Sequence, residues 1–152
     1  MQKYEHAFGK NDIRGIYGDD ITEELFYNTG RGFVKWLKEQ SGKQEKDMWI
    51  TITRDARLHS PALEKALSEG ITSTGANVIN LGLAPTPIGY YSEVVGISGY
   101  DVIAAAIITA SHNPKEYNGL KITYNKRTLT EKQIKEVRDI TFKNWLSHPK
   151  AI

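Results

Sequence analysis

Strand-like and helix-like segments alternate along this chain, which predicts a three-layer α/β/α sandwich built on a mixed, mainly parallel sheet. Two further observations refine it. Residues 102–108, Val-Ile-Ala-Ala-Ala-Ile-Ile, are apolar without period-two alternation, the pattern of a strand buried on both faces. The connection from Ile108 to Leu120 holds no segment of helical length and period. Residues 120–124 are therefore expected to return antiparallel to their predecessor, as an edge strand.

Each element has its own local reason. Residues 22–40 open with Thr22 as a cap and with Glu23 and Glu24 where the helix dipole favours negative charge. Leu25, Phe26, Phe33, Val34 and Leu37 then recur at helical spacing. Gly30 and Gly32 lower helix propensity there, and close packing is the expected reason for them. A polar loop, 41–47, leads to the β-branched strand 48–53. The next helix begins with Ser60 as the expected N-cap and Pro61 at the first helical position, where a missing N–H costs nothing. Ala62, Leu63, Ala66, Leu67, Gly70 and Ile71 give it one apolar face, Gly75 ends it, and residues 77–81 follow as a strand. The loop Ala84-Pro85-Thr86-Pro87 starts a weaker helix through Tyr91 and Val94. After strands 102–108 and 120–124, Thr130 caps a last helix bearing Ile134, Val137 and Ile140. The tail from Ser147 to Ile152 closes no new element, the ending expected of a domain within a longer chain and equally of a frayed natural terminus.

Composition bounds the function. A length of 152 residues suits one domain, and 39% hydrophobic with 25% charged residues is globular composition. The formal net charge of +2 comes without a Lys/Arg block, so neither nucleic acid nor an acidic membrane surface is an expected partner. The absence of cysteine excludes disulfides and Cys-ligated zinc and is compatible with a reducing cytoplasm. Residues 1–6 have no apolar core behind their charge, unlike a signal peptide, and no stretch reaches the roughly 20 apolar residues of a spanning helix. The expected setting is soluble and cytoplasmic.

In an open α/β sheet, ligands bind beyond the carboxyl ends of the parallel strands. There the chain places Thr109-Ala110-Ser111-His112-Asn113-Pro114, followed by Lys115-Glu116-Tyr117-Asn118-Gly119. Asn-Pro and Asn-Gly are strong turn pairs, and the Ser111 hydroxyl is expected at the mouth of the fold. A tight polar connection with only local hydrogen bonds is the alternative. Adjacent Ser and His side chains seldom take up a nucleophile–base geometry, and the G-x-S-x-G elbow of serine hydrolases is absent.

The string from 109 to 122, Thr-Ala-Ser-His-Asn-Pro-Lys-Glu-Tyr-Asn-Gly-Leu-Lys-Ile, resembles the active-site signature of the α-D-phosphohexomutases, the phosphoglucomutase and phosphomannomutase family. Asp12-Ile13-Arg14-Gly15 is similar to the family's D-I-R-G. Arg54-Asp55-Ala56-Arg57, with Ser60 after it, resembles the R-D-x-R-x-x-S segment. Thr86-Pro87 with Tyr90 and Tyr91 resembles the loop opening the third helix. The likeness spans nearly the whole chain in order, so residues 1–152 resemble the family's first domain.

The resemblance implies roles. Ser111 would be the phosphoserine, and Lys121 a general acid or base near the reacting hydroxyl. Arg14 would stabilise phosphate charge, and His112 would line the phosphoserine. Asn113 and Pro114 would shape the loop, while Asp55 and Arg57 would order the loop before Ser60. Mg²⁺ would be held by the phosphoserine oxygen of Ser111 and by three aspartates of a D-G-D-x-D-R loop in a second domain. That loop, a sugar-reading loop and a phosphate-binding loop are absent from this sequence. The isolated chain is therefore expected to be inactive and weakly self-associating, with the remaining domains as partners. The implied reaction interconverts hexose 1-phosphate and hexose 6-phosphate through glucose or mannose 1,6-bisphosphate. Asn11 stands where members acting on glucose or mannose phosphates commonly have Tyr, which puts one substrate contact in question. Phosphoglucosamine mutase is an alternative within the family, against its usual G-T-D-G-I-R-G motif. A non-catalytic phosphoacceptor or interaction module is the alternative outside it.

Overall fold

A computed structural model describes residues 2–147. A short helix α1 (Gln2–Glu5) precedes strand β1 (Ile13–Ile16) and the long helix α2 (Glu23–Ser41). After a 3₁₀ turn (Glu45–Asp47) come β2 (Trp49–Arg54), α3 (Ser60–Thr72), β3 (Asn77–Leu83), α4 (Thr86–Val95) and β4 (Val102–Ile108). The chain continues with β5 (Tyr117–Tyr124), a short β6 (Arg127–Thr128) and α5 (Glu131–Ser147). Residues 148–152, on which the reading of the tail partly rests, lie outside the described residues.

The sheet runs β1-β5-β4-β2-β3, with β6 beside the end of β5. β3, β2 and β4 are mutually parallel, whereas β5 is antiparallel to β4 and to β1. The expected reversal at β5 is therefore present, but the edge position is not its own. β1 pairs with residues 117–120 and takes that place. Gly119 is the physical reason: a Cβ there would lie 2.2 Å from the Ile13 carbonyl oxygen, so only glycine admits the neighbouring strand. Four residues, Ile-Arg-Gly-Ile, are too short to show a period, and the sequence reading passed over β1 as a strand.

Alternation along the strands sorts residues between two unlike faces. Ile50, Ile52, Ala104, Ala106, Ile108, Leu120 and Ile122 join the main core with Leu25, Phe33, Leu63, Leu67 and Val137. That side carries α2, α3 and α5, and α2 packs against both of its neighbours. α4 covers the opposite side, against β4 and β2, where Gly89 packs on the Ile107 side chain and polar contacts join the apolar ones. There Thr51 and Ser92 share a hydrogen bond of 2.6 Å. The buried Glu93 carboxylate accepts from the Thr123 hydroxyl and from the Lys126 backbone N–H. Burial pushes the Glu93 carboxyl above its ordinary value, although those bonds work the other way.

The caps follow sequence with one exception. Thr22 accepts from the Leu25 N–H, and Thr130 with Gln133 forms a reciprocal capping box. Ser60, expected as a cap, is the first residue of α3 and has His59 before it. Its hydroxyl instead donates to Asp55 at 2.7 Å and accepts from Asn118 at 2.9 Å. Long-range partners outcompete the helix's own N–H groups. Ala62 is exposed, while the rest of the apolar face of α3 is buried as its spacing indicates.

Gly30 and Gly32 serve close packing, as expected, and they do so toward different helices. Two residues apart, they project about 200° from each other around α2. A Cβ on Gly30 would meet the Leu67 carbonyl of α3 at 2.8 Å, and one on Gly32 would meet Thr141 Oγ1 of α5 at 2.2 Å. α3 answers with Gly70, whose Cβ would lie 2.0 Å from the Tyr27 carbonyl. Gly70→Ala is thus expected to destabilise the domain by about 1–3 kcal/mol, despite alanine's better helix propensity, because backbone must move. Equilibrium urea unfolding measures it; a variant as stable as the parent would show that the two helices separate freely.

Candidate active site

The segment leaving β4 is a chain of tight turns. The Ser111 N–H donates to Thr109 Oγ1 at 3.0 Å, the Asn113 N–H to the Ala110 carbonyl at 3.0 Å, and the Tyr117 N–H to the Pro114 carbonyl at 3.0 Å. Ser111 sits at φ +56°, in the left-handed region that a non-glycine residue occupies only under constraint. This conformation leaves Ser111 and His112 exposed at the carboxyl end of the sheet, with Ser111 Oγ 3.3 Å from His112 Nδ1.

Arg57 supplies the constraint. Its guanidinium donates to the carbonyls of Ser111 (3.2 Å), Asn113 (2.8 Å), Pro114 (2.6 Å) and Tyr117 (3.1 Å). The planar fork thereby reads the backbone of the serine loop, and Asp55 aims it through a 3.1 Å contact to Nε. Sequence assigned Arg57 to the loop before Ser60. Asp55 does hold that loop, through the Arg57 N–H and the Ser60 hydroxyl, but the Arg57 side chain orders residues 111–117. Burial pushes the Asp55 carboxyl up, yet bonds from Ser60, the Arg57 N–H and Thr109, with the Arg57 charge, outweigh it and hold the group below its ordinary value.

A second brace lies behind the loop. Asn118, fully buried, donates from Nδ2 to His59 Nδ1 at 2.7 Å and to Ser60 Oγ. An accepting Nδ1 leaves the proton of neutral His59 on Nε2, which donates to the Lys115 carbonyl at 3.1 Å. Tyr17 stacks on the His59 ring with centroids 4.4 Å apart. Loop 111–117 is therefore gripped by α3's entry segment on one side and by its own strand on the other.

Cations arrive from two strands. Arg14 of β1 donates through Nη1 to Asn113 Oδ1 at 2.8 Å, two residues beyond Ser111. Lys121 of β5 lies in register with Ile107 of β4. Both cations converge on one oxygen, Asp12 Oδ2, with Lys121 Nζ 2.9 Å from it. The structure thus gathers Ser111, His112, Asn113, Arg14 and Lys121 at one end of the sheet. Asn11 is exposed in the bend next to Asp12. Sequence reasoning gave no role to Asp12, His59 or Asn118. Asp12 and Asn118 lie within strings it had already noted, whereas the Asn118–His59 bond spans 59 positions without a local signal.

Loss of the Arg57 fork leaves four loop carbonyls to water. Arg57→Ala is expected to accelerate amide hydrogen exchange at residues 111–118 by about tenfold or more and to cost about 1–3 kcal/mol of stability. Arg57→Lys should recover little of this, because an ammonium cannot span the same acceptors. Unchanged exchange in Arg57→Ala, read by mass spectrometry, would remove Arg57 as the loop's anchor.

This geometry has known counterparts. The sequence profile of "Phosphoglucomutase/phosphomannomutase, alpha/beta/alpha domain I" matches residues 5–147. A phosphomannomutase/phosphoglucomutase of Pseudomonas aeruginosa is 37% identical over 142 residues, covering 92% of this chain and 28% of that protein. A phosphoglucosamine mutase of Finegoldia magna is 40% identical over 126 residues, covering 82% of this chain and 25% of that protein. Among solved structures, a phosphoglucomutase/phosphomannomutase family protein from Burkholderia thailandensis superimposes with a TM-score of 0.82 at 30% identity, over 91% of this chain and 30% of that one. The chain thus spans between a quarter and a third of the length of these relatives. Profile, identities and fold agree: the chain belongs to the α-D-phosphohexomutase family and corresponds to its α/β/α domain I.

Proposed function

We propose that this chain is the phosphoserine-bearing domain of a mutase that interconverts hexose 1-phosphate and hexose 6-phosphate through a 1,6-bisphosphate. The observation that carries the reading is Ser111, held exposed at φ +56° at the sheet's carboxyl end, in a loop that Arg14 contacts through Asn113 and Arg57 anchors. In the first transfer the bond from phosphorus to Ser111 Oγ breaks and one to a sugar hydroxyl oxygen forms. The hydroxyl's proton leaves to a base, and Ser111 Oγ becomes a hydroxyl. After the bisphosphate turns over in the site, its other phosphoryl group returns to Ser111. Lys121 serves as the general acid or base, Arg14 offsets phosphate charge, and His112 flanks the serine. Asn11 would face the sugar.

Mg²⁺ belongs to this reading, since phosphoryl transfer rests on positioning and charge stabilisation. Among the described residues no group of three or more His, Asp or Glu side chains is arranged to hold a metal. From this chain a cation would take only the Ser111 phosphate oxygen. That donor set does not hold the ion by itself. The carboxylates would come from the domains that the longer relatives carry. In such a multidomain enzyme the exposed Leu58, Leu83 and Tyr91 would be covered; on the isolated chain they favour weak self-association. Among the described residues no helix is long and apolar enough to cross a membrane. A cytoplasmic setting is part of the proposal, because charged sugar phosphates do not cross a bilayer unaided.

The sugar has two candidates. Relatives named phosphoglucosamine mutase match at 40% identity, beside 37% for the phosphomannomutase/phosphoglucomutase. Glucosamine phosphate is therefore the second reading, although Asn11-Asp12-Ile13-Arg14-Gly15 departs from G-T-D-G-I-R-G. A phosphoacceptor module without catalysis is the remaining one.

Three outcomes follow. In a longer protein carrying this chain, fragment-ion mass spectrometry should place the phosphate on Ser111; active protein with Ser111 bare and another residue stoichiometrically phosphorylated would sink the assignment. Lys121→Met in that protein should lower kcat by about 10²–10⁴-fold with little change in melting temperature. Wild-type turnover would take Lys121 out of the mechanism. The 152-residue chain alone should melt cooperatively yet show no turnover of glucose 1-phosphate with Mg²⁺ and glucose 1,6-bisphosphate, and substantial turnover would refute the need for further domains.

A further inference from the structure

Two cations of the site share one carboxylate oxygen. Arg14 and Lys121 both donate to Asp12 Oδ2, and the Asp12 side chain is only 13% exposed. Water therefore screens this triad poorly, and its members feel one another's charge. Lys121 and Arg14 are themselves 21% and 23% exposed, so each keeps a face open to solvent. Arg14 holds Asn113 with its other terminal nitrogen, which fixes the guanidinium beside the serine loop. Any phosphate that these cations receive at Ser111 must share them with Asp12 or draw them away.

We infer that Asp12 is an affinity-setting residue, a built-in counter-anion that weakens the grip of Arg14 and Lys121 on phosphate. This rests on the reading of the Ser111 mouth as a phosphate site. Without Asp12 the two cations would present two positive charges to the anion. With it they present one, and a carboxylate stands among the phosphate's neighbours. The proposed cycle gives such weakening a use. A phosphoryl group must be handed on and a bisphosphate must turn over, so tight ground-state binding would slow the cycle rather than speed it. Asp12 is placed to do this because Gly119 brings β1 against β5, carrying Asp12 and Arg14 to Lys121 as one unit.

The test is the affinity of the 152-residue chain for inorganic phosphate at low ionic strength, by NMR shift titration. Asp12→Asn keeps the side chain's shape and removes its charge. It is expected to bind phosphate about tenfold more tightly than the parent, with the gain shrinking as salt is added. The double variant Asp12→Asn/Lys121→Gln should lose most of that gain. A folded Asp12→Asn that binds phosphate equally or more weakly would overturn the inference and make Asp12 a mere aligner of the two cations. A crystal of the parent chain grown with phosphate gives an independent measurement that needs no variant to fold. Arg14 and Lys121 should turn from Asp12 to an anion beside Ser111; an anion bound there with both cations still on Asp12 would overturn the inference as well. No arm requires Ser111 to accept a phosphoryl group. Failure of the mutase reading, seen as a bare Ser111 in active longer protein, is thus separable from failure of this one.

Discussion

Everything at the mouth of this fold depends on one guanidinium. Arg57 collects the carbonyls of Ser111, Asn113, Pro114 and Tyr117, and in doing so lets a serine persist in the left-handed region. Backbone strain of that kind costs of the order of 1–3 kcal/mol and persists only where its surroundings over-determine it. Here they do: Asp55 aims the fork, Thr109 fixes the Ser111 N–H, and Asn118 with His59 braces the far side. The exposed hydroxyl is the outcome of buried and half-buried polar contacts beneath it.

The same logic explains the unlike faces of the sheet. Its α2 side is an apolar core closed by helices that touch through glycine. Its α4 side pairs Thr51 with Ser92 and Thr123 with the buried Glu93. Directional bonds on that side, beside the buried Ile107, help fix where α4 and the β5–β6 turn stand, while most of the apolar burial lies on the other. β4, buried on both faces, is shared by the two regimes and ends at the serine loop.

What was legible in the sequence follows from range. β4 was read correctly because seven apolar residues without alternation carry their own message. α2 and α5 were read from spacing and caps, which are local. β1 was missed because its only justification, the bare backbone of Gly119, lies about a hundred positions away. Ser60 was misassigned because a capping rule counts nearby N–H groups and cannot see Asn118. The candidate site was proposed from its string of letters from 109 to 122, but the side chain that anchors that loop was assigned to another one. Arg57 binds carbonyl oxygens, which every residue has and no letter distinguishes. Asp12 escaped for a related reason: pairing with a lysine 109 positions on is a property of the folded sheet.

The pairing of β1 with β5 also sets an order of events in the cell. Asp12 and Arg14 are made well before their partners: Asn113 lies 99 positions after Arg14, and Lys121 lies 109 after Asp12. A ribosome adding roughly 5–20 residues per second therefore holds the leading segment without its destination for several seconds or more. Contacts of such separation are costly to close early and form late. A nascent chain stopped before β5 has neither Lys121 nor a strand to receive β1, so Arg14 and Asp12 have no place beside the serine. The charged mouth is completed only when β1 is joined to β5, so it assembles after both strands have left the ribosome and not before.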